Sequence, residues 1–219
     1  ECQVDPCVAN PNLPECQVDP CVANPNLPEC QVDPCVANPQ APGCAPEPVI
    51  KDVTLIDGAS TWNYGYGVTS STTWANPGAY LSNSTGKAPI GYGQGALNTR
   101  LGSFYASAFK VKKEFTVADP SSLSELTIST RADDGIVIWL NGTKINQTNY
   151  NSNSFSSFST ATKSVTTANA AANPTVIKLD KSQLKQGTNT LAVQILPYSI
   201  LEKDASFDLS LKGKQTVAP

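Results

Sequence analysis

The chain has 219 residues, with 15 Lys and Arg against 18 Asp and Glu, a formal net charge of -3, 7 Cys, and neither His nor Met. Without His no Ser-His-Asp triad, Cys-His dyad or imidazole metal site can be built, and a net acidic chain lacks the basic face that nucleic acid requires. No apolar run approaches the ~20 residues of a membrane span, and no basic head followed by an apolar centre marks a signal peptide.

Residues 1–48 hold all 7 Cys, 11 of the 17 Pro and 7 acidic residues, with no Lys, Arg, Ser, Thr or aromatic residue. The segment ECQVDPCVANPNLP at residues 1–14 recurs identically at 15–28, and a third copy begins at 29 and drifts after Pro39. Pro at three places in each 14-residue unit excludes a continuous helix. It predicts an extended, polyproline-like backbone broken by turns at Asn10-Pro11 and Asn24-Pro25. Three such repeats would span on the order of 130 Å. Because Glu1 opens mid-pattern, the sequence is expected either to begin after processing or to be cut from something longer.

With only Val, Leu and Ala as apolar groups, this segment cannot bury a core, so disulfides are expected to order it. The cysteines alternate C-x4-C and C-x8-C spacing. One register pairs Cys2–Cys7, Cys16–Cys21 and Cys30–Cys35 and leaves Cys44. The other pairs Cys7–Cys16, Cys21–Cys30 and Cys35–Cys44 and leaves Cys2. Loop entropy separates them by only about 0.5 kcal/mol per bridge. The second register is preferred because its spare thiol falls at the end where a preceding repeat would sit. Zinc fits less well, since the short Cys-x-x-Cys knuckles are absent. Calcium on Asp5, Asn10 and Asn12 lacks the alternating-oxygen loop with its Gly turn. Disulfides imply an oxidising location, secreted, periplasmic or on the cell surface, and an extracellular or cell-surface place is expected.

From Val49 the apolar period becomes two. Phe109, Val111, Phe115 and Val117 alternate around Lys110, Lys112 and Lys113, and Leu126–Thr130, Leu191–Ile195 and Phe207–Leu211 alternate likewise. Ile136–Leu140 is apolar on both faces and predicts a buried central strand. Asp119-Pro120, Asp134-Gly135, Asn141-Gly142 and Gln186-Gly187 read as turns between strands, Asp134-Gly135 as a hairpin former. Ser164–Asn173 reads as a long loop, and no helix of useful length is expected. Residues 49–219 are therefore predicted to form an all-β, antiparallel β-sandwich of the jelly-roll kind.

The residues Trp62-Asn-Tyr64, Trp74, Ala88-Pro-Ile-Gly91-Tyr92-Gly93, Phe115-Thr-Val-Ala-Asp119, Arg131-Ala-Asp133-Asp134-Gly135, Trp139-Leu-Asn141-Gly142, Gly187-Thr-Asn189 and Phe207-Asp-Leu follow one another in the order of a known module. Over residues 55–212 the chain resembles the galactose-binding-like jelly-roll domains of large secreted bacterial proteins. The resemblance implies an accessory module attached to an enzyme or adhesin. Where members carry Arg-x-Asn after the Asn-Gly hairpin, this chain has Ile145-Asn146-Gln147.

Three sets of candidate site residues follow. Asp133 and Asp134, with Asn141 near them in sequence, offer hard oxygen ligands for calcium, although Asp-Gly is also a turn former whose side chains cap amides. Adjacent strand residues point to opposite faces, which argues against one acid/base centre. Trp62, Tyr64, Tyr66, Trp74, Tyr80 and Tyr92 form an aromatic cluster that offers faces for sugar stacking, Tyr64 and Tyr66 being the better exposed, while Trp62, Trp74 and Tyr92 also suit a packed sheet. Asn83, Asn141 and Asn146 begin Asn-x-Ser/Thr sequons for glycosylation. No cofactor is required, and the chain is expected not to be an enzyme.

Two functions are expected of this combination. The first is a non-catalytic extracellular structural protein, a subunit of a self-assembling filament or stalked adhesin, whose repeats link or dock onto other copies of itself. The alternative is a carbohydrate-binding module of a secreted multidomain enzyme or adhesin.

Overall fold

A computed structural model describes residues 24, 48–93, 95–102, 108–156 and 159–217. The chain divides into two units, Glu1–Pro48 and Val49–Ala218, and all described residues but Asn24 and Pro48 lie in the second. The seven cysteines, their pairing and the repeat lie outside the described residues.

The second unit is all-β, as the alternation predicts. Its strands are β1 (Val49–Ile56), β2 (Thr61–Tyr66), β3 (Thr85–Lys87), β4 (Ile90–Tyr92), β5 (Thr99–Arg100), β6 (Phe109–Val117), β7 (Leu123–Asp133), β8 (Gly135–Leu140), β9 (Thr143–Thr148), β10 (Thr175–Lys178), β11 (Gly187–Leu196) and β12 (Ala205–Val217). One sheet runs β10-β7-β12-β4-β5, with β1 also paired to β12, and the other runs β3-β2-β6-β11-β8-β9. All pairings are antiparallel except the short β4–β5 contact.

Because side chains alternate along a strand, each sheet turns one set inward. Phe109 and Val111 of β6, Ile136 and Ile138 of β8, and Leu191, Val193 and Ile195 of β11 meet Ile128 of β7 and Phe207, Leu209 and Leu211 of β12. Trp62 of β2 sets its ring edge-on to Phe207 at 5.2 Å and ties the two sheets together.

The opposite set of the second sheet is also buried. Val137 and Trp139 of β8 and Ala192 and Leu196 of β11 form a second apolar cluster on its outer face. Trp74 and Ala75 cover it from a 3-10 turn at Thr73–Ala75, and Tyr150 and Phe155 cover it from the loop after β9. This double cover is why Ile136–Leu140 carries no polar residue.

Two expectations change. Asp134-Gly135 makes no hairpin: β7 belongs to one sheet and β8 to the other, so the chain crosses between sheets there. A Cβ on Gly135 would lie 2.9 Å from the Ala161 Cβ and from the Asn149 carbonyl, and only glycine fits that corner. The stretch expected as a loop contains one helix, α1 (Thr167–Ala172), whose alanines favour it and whose start is capped by the Thr166 hydroxyl accepting from the Asn169 amide at 3.2 Å. By contrast Asn141-Gly142 does join β8 to β9, with φ of 53° and 84° as a two-residue hairpin requires.

Candidate functional site

The aromatic residues separate by depth. Trp62 is 1% exposed and Trp74 9%, so neither offers a face to a sugar; both are packing residues. Trp74 stands edge-on to Trp139 at 5.5 Å. Tyr64 is half-buried against the main core and meets Tyr66 edge-on at 6.2 Å. Tyr66 is 48% exposed, and its hydroxyl accepts from the Gly102 amide at 3.3 Å. The described aromatic ring most open to solvent is Tyr80, at 72%.

Tyr80 is held out by its supports. On the outer face of β6, where solvated lysines would be the default, Lys110 and Lys112 are buried. The Lys112 ammonium donates to the carbonyls of Trp74 at 3.2 Å, Asn76 at 2.7 Å and Ala79 at 2.6 Å. Three carbonyls of one loop thus converge on one cation. Lys110 places its ammonium 5.6 Å from the Trp74 ring centroid, a cation–π contact on the same loop. Burial lowers the pKa of both lysines, and for Lys112 the Glu114 carboxylate acts against that. On the other side of Tyr80, the Ser82 hydroxyl donates to the Tyr64 carbonyl at 2.5 Å and accepts from the Ser84 amide at 2.9 Å. The Asn63 side chain donates to the Ser82 carbonyl at 3.3 Å.

The result is an open hollow of about 260 Å³ floored by Asn63, Lys112 and Glu114 and walled by Tyr80, Leu81 and Ser82. Its stacking face, carboxamide, carboxylate and hydroxyl suit a hydroxylated ring. Sequence reasoning placed Tyr80 in the aromatic cluster but preferred Tyr64 and Tyr66 as its exposed faces, and it passed over Asn63 and Glu114. The available signal was Pro77-Gly78 just before Tyr80 and Ser82-Asn83-Ser84 just after, a polar loop around one aromatic residue.

Asp133 and Asp134 sit at the crossing from β7 to β8, both nearly solvent-free; the peptide joining them is cis. The corner breaks the strand alternation expected of this pair, and the two carboxyls lie close enough to shift each other's protonation. Asp133 also accepts from the Thr167 hydroxyl at 2.6 Å. Asp134 accepts from the amides of Val165 and Tyr198, each at 2.6 Å. The pair therefore ties two loops to the corner. Burial pushes Asp133 up to about 7; the Thr167 bond opposes this, and the charges of Asp134 and Asp204 add to it. Burial raises Asp134 as well, against the pull of its two amides. The nearby Tyr92 hydroxyl is buried without a hydrogen bond, and burial followed by the charges of Glu202, Asp134, Asp133 and Asp204 raises it.

The calcium expectation grouped Asn141 with this pair, and the structure separates them by the length of β8. Asn141 instead donates to Asn189 Oδ1 at 2.9 Å and accepts from the Thr190 amide at 2.9 Å. Among the described residues no three or more Cys, Asp or Glu side chains gather to hold a metal ion. Of the sequons, Asn83 lies exposed in the loop after Tyr80. Asn141 spends its side chain on β11, and Asn146 Oδ1 accepts from the Thr148 hydroxyl at 3.0 Å. No helix among the described residues is long and apolar enough to cross a membrane.

No family model and no curated protein matches the sequence. Among solved structures, a Bifidobacterium dentium beta-glucuronidase is similar at 17% identity and a TM-score of 0.42, over 67% of this chain and 20% of that one. A Ruminococcus gnavus beta-glucuronidase is similar at 11% identity and a TM-score of 0.46, over 75% and 29%. A beta-D-mannosidase from Dictyoglomus thermophilum is similar at 15% identity and a TM-score of 0.37, over 67% and 16%. The chain thus spans less than a third of the length of each.

Proposed function

We propose that residues 49–219 are a non-catalytic carbohydrate-binding module of the galactose-binding-like kind, and that the module belongs to a larger extracellular or cell-surface protein. The observation that carries this reading is Tyr80: a 72% exposed ring on a loop pinned by Lys112 on one side and Ser82 on the other. An aromatic face that is rigid before the ligand arrives loses little freedom on binding. Asn63 and Ser82 supply hydrogen-bond partners for ring hydroxyls, and the exposed Glu114 carboxylate accepts hydroxyl protons while repelling acidic sugars. The ligand class is therefore neutral glycan. In this reading the repeats of residues 1–48 are a disulfide-stapled spacer.

The test is affinity electrophoresis of the full chain through gels containing neutral or acidic polysaccharides, followed by calorimetry on whichever retards it. Tyr80→Ala should weaken binding about tenfold, the value of one lost stacking contact, with the fold unchanged by circular dichroism. Undiminished binding by Tyr80→Ala, or retardation by acidic glycans alone, would overturn the assignment of the site.

A further inference from the structure

A second cleft, of about 260 Å³, lies on the outer face of the other sheet. Its floor is made where β7 and β12 pair, and Arg131 and Asp208 are directly opposite each other in that register. Ser206, two residues before Asp208, shares the same face. Pro89, Leu97 and Ala171 of α1 form apolar walls.

The floor pair is loosely joined. Arg131 Nη1 stands 3.4 Å from Asp208 Oδ2, well beyond the ~2.7–2.9 Å of a closed charge-assisted bond. The guanidinium is 56% exposed and the carboxylate 17%. Burial raises the Asp208 pKa; the Arg131 charge offsets this in part, and Asp57 adds to it. Both groups keep unused hydrogen-bonding capacity toward the cleft, and the Thr130 hydroxyl fixes the strand beneath them by donating to the Asp208 carbonyl at 2.8 Å.

A carboxylate beside a guanidinium complements adjacent hydroxyls on one ring. The two carboxylate oxygens accept from a vicinal diol, the guanidinium donates to a neighbouring ring oxygen, and an apolar C–H face rests on Leu97 and Ala171. The volume falls below the ~300–1,000 Å³ of drug-sized sites, which limits the occupant to one ring. We infer that this cleft is a second sugar site, for a single terminal neutral hexose held through vicinal hydroxyls. The sandwich then carries sites on the outer faces of opposite sheets, and one molecule bridges two glycan chains. The choice of sugar as ligand rests on the function proposed above; the site itself does not use Tyr80.

The experiment is an amide-shift NMR titration of the full chain with the methyl glycosides of glucose, galactose and mannose. The unaltered chain is compared with Tyr80→Ala, Arg131→Gln and Ala171→Trp. Ala171 is exposed on α1, so its replacement fills the cleft and leaves Arg131 and Asp208 in place. In Tyr80→Ala, shifts should persist at Arg131, Ser206 and Ala171. In the other two variants the affinity read from the Ser206 shift should weaken about tenfold while the shifts at Asn63 and Glu114 remain. A branched neutral polysaccharide should become turbid with the unaltered chain and stay clear with each variant. If Tyr80→Ala loses every shift, the second site is overturned and the first stands. Shifts confined to the cleft overturn the first site and leave the second standing, and no shift with any glycoside overturns both.

Discussion

The Lys112 ammonium lies 2.6 Å from the carbonyl oxygen of Ala79, the residue before Tyr80. A cation on the outer face of β6 thereby sets where an aromatic ring stands in solvent. Replacing Lys112 by Met keeps the aliphatic stem and leaves three carbonyls without their donor, which costs about 1–3 kcal/mol. Lys112→Met should therefore lower the denaturation midpoint and weaken glycan binding as much as Tyr80→Ala does, although Tyr80 is still present. A destabilised Lys112→Met chain that binds at full strength would show that the loop holds its shape by other means.

Asn189 is fully buried and meets all its needs locally. It donates to the carbonyls of Lys185 at 2.6 Å and Gly187 at 3.1 Å, and it accepts from the Lys185 amide at 2.8 Å and from Asn141 at 2.9 Å. Asn189→Ala removes both donors and both acceptances in a dry site, and about 2–4 kcal/mol of stability should be lost in urea unfolding. Asn141→Ala should cost less, because its turn is partly open to water.

Stability should depend on pH through Asp133. Its carboxyl is raised from 3.8 to about 7, so the folded chain holds that proton more tightly than the unfolded one. The stabilisation is complete below the ordinary carboxylate range and is lost as pH rises through about 7. The slope is at most about 1.4 kcal/mol per pH unit for one proton. Asp133→Asn keeps the size of the side chain and cannot ionise, so its melting temperature should vary less between about pH 5 and about pH 8. Parallel curves for the two proteins would remove Asp133 as the source.

Trp62→Ala and Trp74→Ala should separate packing from glycan binding. Trp62 packs on Phe207 between the sheets, so its loss costs about 3–5 kcal/mol and leaves glycan affinity of the folded fraction unchanged. Trp74 lies under the loop that Lys110 and Lys112 anchor, so its loss should reduce both stability and affinity. Binding that falls with Trp62→Ala in fully folded protein would contradict this division.

The longest strands were readable from period alone: Phe109–Val117, Leu191–Ile195 and Phe207–Leu211 alternate because one face meets the core. Strands of two or three residues, such as β3 to β5, have no period to read. Asp134-Gly135 misleads because a turn signal says that the chain bends and not which sheet receives the next strand. The site was partly hidden for a related reason. Trp62 and Tyr80 each stand beside small or polar residues, and only the surrounding fold decides that one is sealed and the other lifted into solvent. Lys112 reads as a solvated strand residue until the loop carrying Trp74, Asn76 and Ala79 folds back over it.

The pairing of β1 with β12 sets Val49 opposite Val217, so the chain enters and leaves the sandwich side by side. Tension carried along the chain is thus applied across that one rung, and the ladder parts bond by bond instead of shearing as a whole. Val49 and Ile50 are 49% and 63% exposed, and little apolar surface resists until Val53 and Leu55, packed against the core, and the buried Ile56 are reached. The first four residues of β1 can unzip as slack under load before the core is disturbed.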